Sequence, residues 1–418
     1  LAQLSGDCFA FGDSILSVDD ANQRLAERLS LIESDERIQL TSADGRILSQ
    51  PIRAPISLPS FTNSAVDGYA LRGEDLPALE ERSFAVAEWI QAGDATATAA
   101  RPASAIRIFT GAPMPEGADT VFMQEDARIE DGNRVTLPPG LKRGSNVRPI
   151  GEDVAAGQRV LQAGHRLRPQ DVALLAALGL THVQVRRRVK VAVFSTGNEI
   201  VAPGEPRGPT QLFDANRFML MAMLGRLGCA VDDLGILRDD LNATASVLGR
   251  AAATHDLILT SGGVSTGEAD YVKAAVESVG TLVFWRLAIK PGRPVAMGVI
   301  GGTPFIGLPG NPVASFITFA YVARPAILAL SGSPWLRVPS VPVRAAFSYK
   351  KKAGRREYLR VSLRESEDGS LEASKFPREG AGMLSSLVET DGLVELDEET
   401  TIVVPGQNVA FLAYSALF

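Results

Sequence analysis

DLILTSGGVSTGEAD, residues 256–270, opens on a short apolar run and passes directly into glycines, hydroxyls and acids. Five residues rich in Leu and Ile are too few for a helix and fit a buried strand. The polar stretch is then a strand-end loop, and a helical pattern over 268–279 stops at Gly280. The same strand, loop and helix recur on both sides. VKVAVFS (189–195), AVDDLGIL (230–237), LVFWRLAI (282–289) and PFIGL (304–308) are further buried-strand candidates. Asp214 can cap a helix over 215–227 that Gly228 stops, and Asp240 can cap the next. This alternation predicts a doubly wound α/β sheet over 186–332, whose ligands lie outside the carboxyl ends of the strands.

Each of those ends carries chemistry. STGNE (195–199), RDD (238–240), SGGVSTGEAD (261–270), KPGRP (290–294) and PGNP (309–312) follow the five strands in turn. Taken singly, each has a bland explanation: Asp240 a cap, Gly262 and Gly263 a tight turn, PGNP the start of a helix. Together they describe a site. Gly262, Gly263 and Gly267 let backbone N–H groups approach an anion ahead of a helix. Lys290, Arg293 and Arg286 add positive charge for a phosphate or oxyanion, while Glu199, Asp239 and Asp270 are hard oxygen ligands suited to Mg²⁺.

Outside this region the texture changes. Ser17 with Asp20, then Ala21, Leu25, Ala26 and Leu29, predict a helix over 18–30. Residues 51–149 hold short apolar runs separated by Pro, Gly and turns such as EDGN (130–133), as in a β-rich module. RPQDVALLAALG (168–179) is helical again, with Gly179 as the stop. Helical segments in 1–50 and 150–185 therefore predict a discontinuous N-terminal helical domain interrupted by an inserted β-rich domain. From 333 to 418 short strands return between DG turns, a separate small β domain. At roughly 150 residues per domain, 418 residues accommodate these parts.

Composition excludes several classes. Lys and Arg number 42 against 48 Asp and Glu, a formal net charge of −6, which argues against a nucleic-acid coat. Two cysteines, Cys8 and Cys229, form no C-x-x-C pair, so neither a disulfide framework nor a zinc ribbon is expected. The first residues show no basic and apolar leader, and the longest apolar stretch, 312–330, is interrupted by Arg324 and Pro325; a cytoplasmic protein with no membrane span is expected. The three histidines, His165, His182 and His255, are scattered, and a structural role is expected for each. No P-loop or dinucleotide fingerprint occurs among the 39 glycines. Gly263 to Gly267 does match G-x-S-x-G, with Ser265 as nucleophile, but a hydrolase of that kind needs a histidine after the serine, and none follows His255.

Several longer motifs carry a resemblance. LPSFTNSAVDGYALR (58–72), FTGAPMPEGADTVFMQED (109–126), NVRPIGEDV (146–154), STGNE, RDD, SGGVSTGEADY, IKPGRP and GLPGNP together resemble the MoeA family, the molybdopterin molybdenumtransferases, which includes the E domain of gephyrin. The resemblance spans essentially the whole chain. It implies an elongated, four-part homodimer that inserts molybdate, as substrate, into adenylylated molybdopterin with Mg²⁺ and releases AMP. It also implies transient contact with the adenylylating enzyme and with recipient molybdoenzymes.

By the resemblance, Glu199, Asp239 and Asp270 hold metal and substrate phosphates, and Lys290 is a catalytic lysine. Asp67, Thr110 and Asp153 face the cleft from the inserted module and its hinge. Ser261, Gly262, Gly263, Ser265, Arg293, Pro309, Gly310, Asn311 and Pro312 are expected to line the substrate, and Arg355 and Ser385 to bind an anion. Three positions depart from the family pattern: Asn198 replaces an acid, Ala314 a serine beside Ser315, and Ala381 a serine. Two alternatives stand beside the enzyme. One is an interaction scaffold like gephyrin's E domain, which the four retained groups Glu199, Asp239, Asp270 and Lys290 and the lack of a fused domain or long linker disfavour. The other is the adenylylating sister enzyme, which lacks the flanking β modules.

Overall fold

The computed structural model describes residues 4, 9, 15–94, 99–130, 133–263, 271–334 and 337–417. Among them the α/β unit holds six strands in the spatial order Ala230–Leu237, Lys190–Thr196, Leu257–Ser261, Thr303–Leu308, Pro294–Ile300, Gly280–Arg286. The first four run parallel, and the last two add antiparallel. Both faces are covered, which is why the inner strands are apolar throughout: Val191 to Phe194 and Leu257 to Leu259 are fully buried. Helices Asn216–Arg226, Leu241–Thr254 and Tyr271–Val279 provide the cover. The apolar run Pro312–Ser331 is long enough to cross a membrane but is mostly buried in this core.

Two sequence expectations need correction. Pro294–Ile300 is a strand that apolar patterning did not reveal; it begins on a proline, and a strand tolerates proline at its first residue. The expected strand 282–289 is two elements. Gly280–Arg286 stays in the α/β sheet, whereas Ile289–Lys290 leaves it and pairs in parallel with Arg356–Glu357 of the C-terminal domain.

The inserted module is reached along a stem of paired segments. Asp35–Gln39 pairs with His182–Arg186, Ile52–Arg53 with Arg159–Leu161, and Asn63–Ser64 with Val147–Arg148, all antiparallel. Beyond the stem lies a sheet ordered Thr120–Met123, Gly68–Leu71, Ser104–Ile108, Arg82–Ile90, Arg134–Leu137, Arg128–Glu130. The helix Pro169–Ala177 packs beside the stem through Leu175 on Leu48, Leu167 and Val185, and Gly179 ends it at φ +80°. The helix Val18–Arg28, capped by the Ser17 hydroxyl as expected, buries Val18, Ala21 and Leu25 in the α/β core.

In the C-terminal part, Val341–Ala345, Arg356–Glu365, Leu371–Lys375, Gly392–Leu396 and Asn408–Ala413 close into a barrel, since Arg356–Glu365 pairs with both Leu371–Lys375 and Gly392–Leu396. Val343, Val361, Ala373, Val394 and Phe411 fill it.

Candidate active site

Strand register aligns four of the expected loops. Thr196 pairs with Leu237, Ser195 with Ser261, and Ser261 with Leu308, so RDD, STGNE, SGG and PGNP emerge side by side. Asn216 staples two of them. Its Nδ2 donates to Ser261 Oγ at 2.8 Å and to the Gly310 carbonyl at 2.7 Å, and Ser261 Oγ donates to the Pro309 carbonyl at 3.0 Å. Gly262 N–H adds a bond to the Leu308 carbonyl. At Gly263, φ is +63° and a Cβ would collide with Thr196, so only glycine lets the loop pass. Below the staple lies a charged pair that the sequence reading treated as a cap alone. Buried Asp214 accepts from Ser195 Oγ at 2.9 Å and from Arg217 Nε at 2.7 Å, and Arg217 also pairs with Asp233.

The acids lie on neighbouring ends. Glu199 is exposed, its carboxylate folded back over Gly197, and Arg238 ties its loop to RDD by donating to the Ile200 carbonyl at 3.3 Å. Asp239 is half-buried, while Asp240 caps Leu241–Thr254 by accepting from Ala243 N–H at 2.9 Å. Asp270, the third expected ligand, lies outside the described residues, as do Ser265 and Gly267. Among the described residues no group of three His, Cys, Asp or Glu is placed to hold a metal. The histidines have structural partners: His165 bonds Asp171, His182 Thr181, and His255 Asp232.

Lys290, expected to supply positive charge at a strand end, has side-chain partners of its own. Its Nζ donates to Tyr349 Oη at 3.1 Å and to Glu357 Oε2 at 3.3 Å, and Arg355 Nε donates to Glu357 Oε1 at 2.7 Å. Glu357 is 1% exposed, whereas the Lys290 side chain is 43% exposed. Burial works against both charges, but the Tyr349 bond and the opposite charges outweigh it: Glu357 is held below its ordinary value and Lys290 above. Lys290 and Arg355, two expected anion ligands, thus share one carboxylate. Lys290 also lines a cavity of about 270 Å³ with Arg360, Lys375, Arg378 and Ala381. The Ala381 carbonyl accepts from Val313 N–H at 2.9 Å, joining this cavity to the helix that follows PGNP. Neither Asn216 nor Glu357 was singled out in sequence; Glu357 lies close in the chain to Arg355 and Tyr349, but its third partner, Lys290, is 67 residues away, and no local pattern announces that contact.

The remaining expected residues are dispersed. On the inserted module, Asp67 Oδ1 accepts from Thr110 N–H and Oγ1, each at 2.7 Å, and these bonds lower its pKa. Asp153 is exposed on a turn, where its N–H donates to the Leu58 carbonyl. Arg293 is exposed ahead of Pro294–Ile300, and Ser385 is exposed at the start of the short helix Ser385–Val388. Asn311 precedes Pro312 at the start of Pro312–Thr318, and its side chain faces Gly382. Of the departing positions, Asn198 is exposed, Ala314 is buried in that helix, and the buried Ser315 Oγ has no hydrogen-bond partner among the described residues.

Comparison with known proteins agrees along the chain. Residues 16–179 match the MoeA N-terminal region (domain I and II), 192–329 a probable molybdopterin binding domain, and 342–414 the MoeA C-terminal region (domain IV). A molybdopterin molybdenumtransferase of Haemophilus influenzae is 38% identical over 404 residues, covering 96% of this chain and all of that one. Molybdopterin molybdenumtransferase 2 of Mycobacterium tuberculosis is 36% identical over 384 residues, 89% of this chain and 93% of its own. The crystal structure of a molybdopterin biosynthesis MoeA protein from Pyrococcus horikoshii superimposes with a TM-score of 0.81 at 29% identity, over 96% of this chain and all of that one. The chain belongs to the MoeA family of molybdopterin molybdenumtransferases.

Proposed function

We propose that the chain inserts molybdate into the dithiolene of adenylylated molybdopterin and releases AMP, acting with Mg²⁺ as a cytoplasmic homodimer. One coincidence carries this reading: full-length similarity to relatives named for molybdenum transfer, together with a cationic cavity beside the carboxyl edge of the α/β sheet. Molybdate is a small dianion, and the cavity lining carries four cations, Lys290, Arg360, Lys375 and Arg378, against two acids, Glu357 and Glu379, a net positive charge suited to it. Glu357 holds Lys290 and Arg355 in fixed places, so the anion meets donors already oriented.

Glu199 and Asp239 fit Mg²⁺, because neighbouring loops present two carboxylates with no side-chain hydrogen bond among the described residues, and Mg²⁺ uses one or two carboxylates plus substrate oxygens. When bound there, the ion would neutralise charge developing on the substrate phosphate. The residues themselves position the substrate: Asn216 keeps the SGG and PGNP loops in register at the sheet edge. Anaerobic incubation with adenylylated molybdopterin, molybdate and Mg²⁺ tests the proposal by release of AMP. Subunit contact, adenylate supply and delivery to molybdoenzymes are partners in the same reading, and sedimentation at micromolar concentration tests the dimer.

A further inference from the structure

The inserted module carries an aromatic row on one face of its sheet. Tyr69 stands opposite Arg107 on neighbouring strands, and Arg107 opposite Trp89 on the next. The second pairing exists because Arg82–Ile90 holds one extra residue between Val86 and Trp89. Side chains alternate in face along a strand, so without this bulge Glu88 would oppose Arg107 and Trp89 would point to the other side. The Arg107 guanidinium lies 4.9 Å from the Tyr69 ring centre and 5.0 Å from that of Phe109. It also donates to the Gly68 carbonyl at 3.3 Å and to Gln124, which pins it in place. Trp89 sits 6.1 Å from Phe109, tilted by 52°, and is 63% exposed. Beside this row, Tyr69 is packed into a buried cluster with Phe84, Val86, Ala105 and Phe122.

One residue beyond Phe109, Thr110 engages only Oδ1 of Asp67, and Oδ2 remains available as an acceptor. A bare indole face on a rigid strand, next to a second ring and bordered by an ionised carboxylate, has the recognition chemistry of a planar nitrogen heterocycle. The ring stacks, and an N–H edge meets the carboxylate. We infer that this shelf binds the planar ring of the substrate, pterin or adenine, and that Trp89 is a substrate-binding residue. The inference rests on the proposed substrate, adenylylated molybdopterin, and assigns it a ring subsite.

The test titrates full-length protein with neopterin and, separately, with AMP, by calorimetry, in wild type, Trp89→Ala and Trp89→Phe. One probe should bind wild type, bind Trp89→Ala about ten-fold more weakly, and regain most of its affinity in Trp89→Phe, since stacking on a tryptophan is lost on truncation to alanine. The affected probe identifies the ring. In AMP-release assays, the KM for adenylylated molybdopterin should rise more than kcat falls. Absence of binding by either probe to wild type, or equal affinities in wild type and Trp89→Ala, overturns the inference. So does a Trp89→Ala variant that merely turns from dimer to monomer, which would make the shelf a subunit contact. Loss of ring binding in Trp89→Ala without AMP release from wild type would instead leave the shelf standing and refute the proposed reaction.

Discussion

Lys290→Met separates an anion-binding lysine from a structural one. The side chain loses two contacts, to Tyr349 Oη at 3.1 Å and to Glu357 Oε2 at 3.3 Å. Breaking a fully buried ion pair costs about 3–5 kcal/mol, and an exposed pair contributes about 0.2–1 kcal/mol. Lys290 is 43% exposed, and Glu357 keeps Tyr349 and Arg355, so the expected cost lies between these ranges and toward the lower, about 1–2 kcal/mol. At about 2–4 °C per kcal/mol for a large cooperative unit, the melting temperature falls by about 2–8 °C. A lysine with no protein partner would leave it unchanged. Molybdate affinity, measured by equilibrium dialysis, should fall at least about ten-fold, as for a lost charge-assisted hydrogen bond. Glu357→Gln is the counterpart: it removes the shared carboxylate that fixes Lys290 and Arg355 and lowers the melting temperature further, but it leaves both cationic charges, so molybdate affinity falls less than in Lys290→Met. Unchanged molybdate binding in Lys290→Met, with a lowered melting temperature, would refute the anion role and leave Lys290 as a partner of Glu357 alone.

Three further outcomes are expected. Asn216→Ala cuts the staple between the SGG and PGNP loops, and AMP release should fall by about ten-fold or more through misplacement of the loops, while calorimetry shows only a modest stability loss; full activity would remove Asn216 from the site. Asp214→Ala leaves buried Arg217 with Asp233 only, so chemical denaturation should show a loss of about 3 kcal/mol. Because the folded-state pKa of Glu357 is depressed, its contribution to stability is present above the unfolded value of about 4.3 and is lost as pH falls through the lower folded value. Melting temperature should therefore drop more steeply below about pH 4.3 in wild type than in Glu357→Gln; parallel curves would contradict the depressed value.

The parallel strands were legible in sequence because both of their faces are buried, which makes VKVAVFS and DLILT continuous apolar runs bounded by turn residues. Two features were hidden by tertiary context. LVFWRLAI has no turn residue to divide it, and the break comes from partners elsewhere: Leu287 N–H donates to the Arg293 carbonyl and Ala288 N–H to the Leu16 carbonyl. Pro294–Ile300 follows a proline and glycine turn and contains Gly298, so local pattern favours a loop there. The place of Glu199 and Asp239 at neighbouring strand ends was legible for the same reason as the strands they follow. Glu357 was not, because what distinguishes it is the meeting of Lys290, Tyr349 and Arg355 around one buried carboxylate, and Lys290 belongs to a segment that leaves its own sheet for the barrel. Asn216 likewise gains its role from Ser261 and Gly310, 45 and 94 residues away.

The most direct measurement follows AMP by chromatography after purified protein is incubated without oxygen with adenylylated molybdopterin. The account predicts that AMP accumulates only when molybdate and Mg²⁺ are both present, with molybdenum recovered on the dithiolene. Intact adenylylated molybdopterin in the complete mixture would contradict it, as would synthesis of that adenylate from ATP and molybdopterin, which would identify the adenylylating reaction instead.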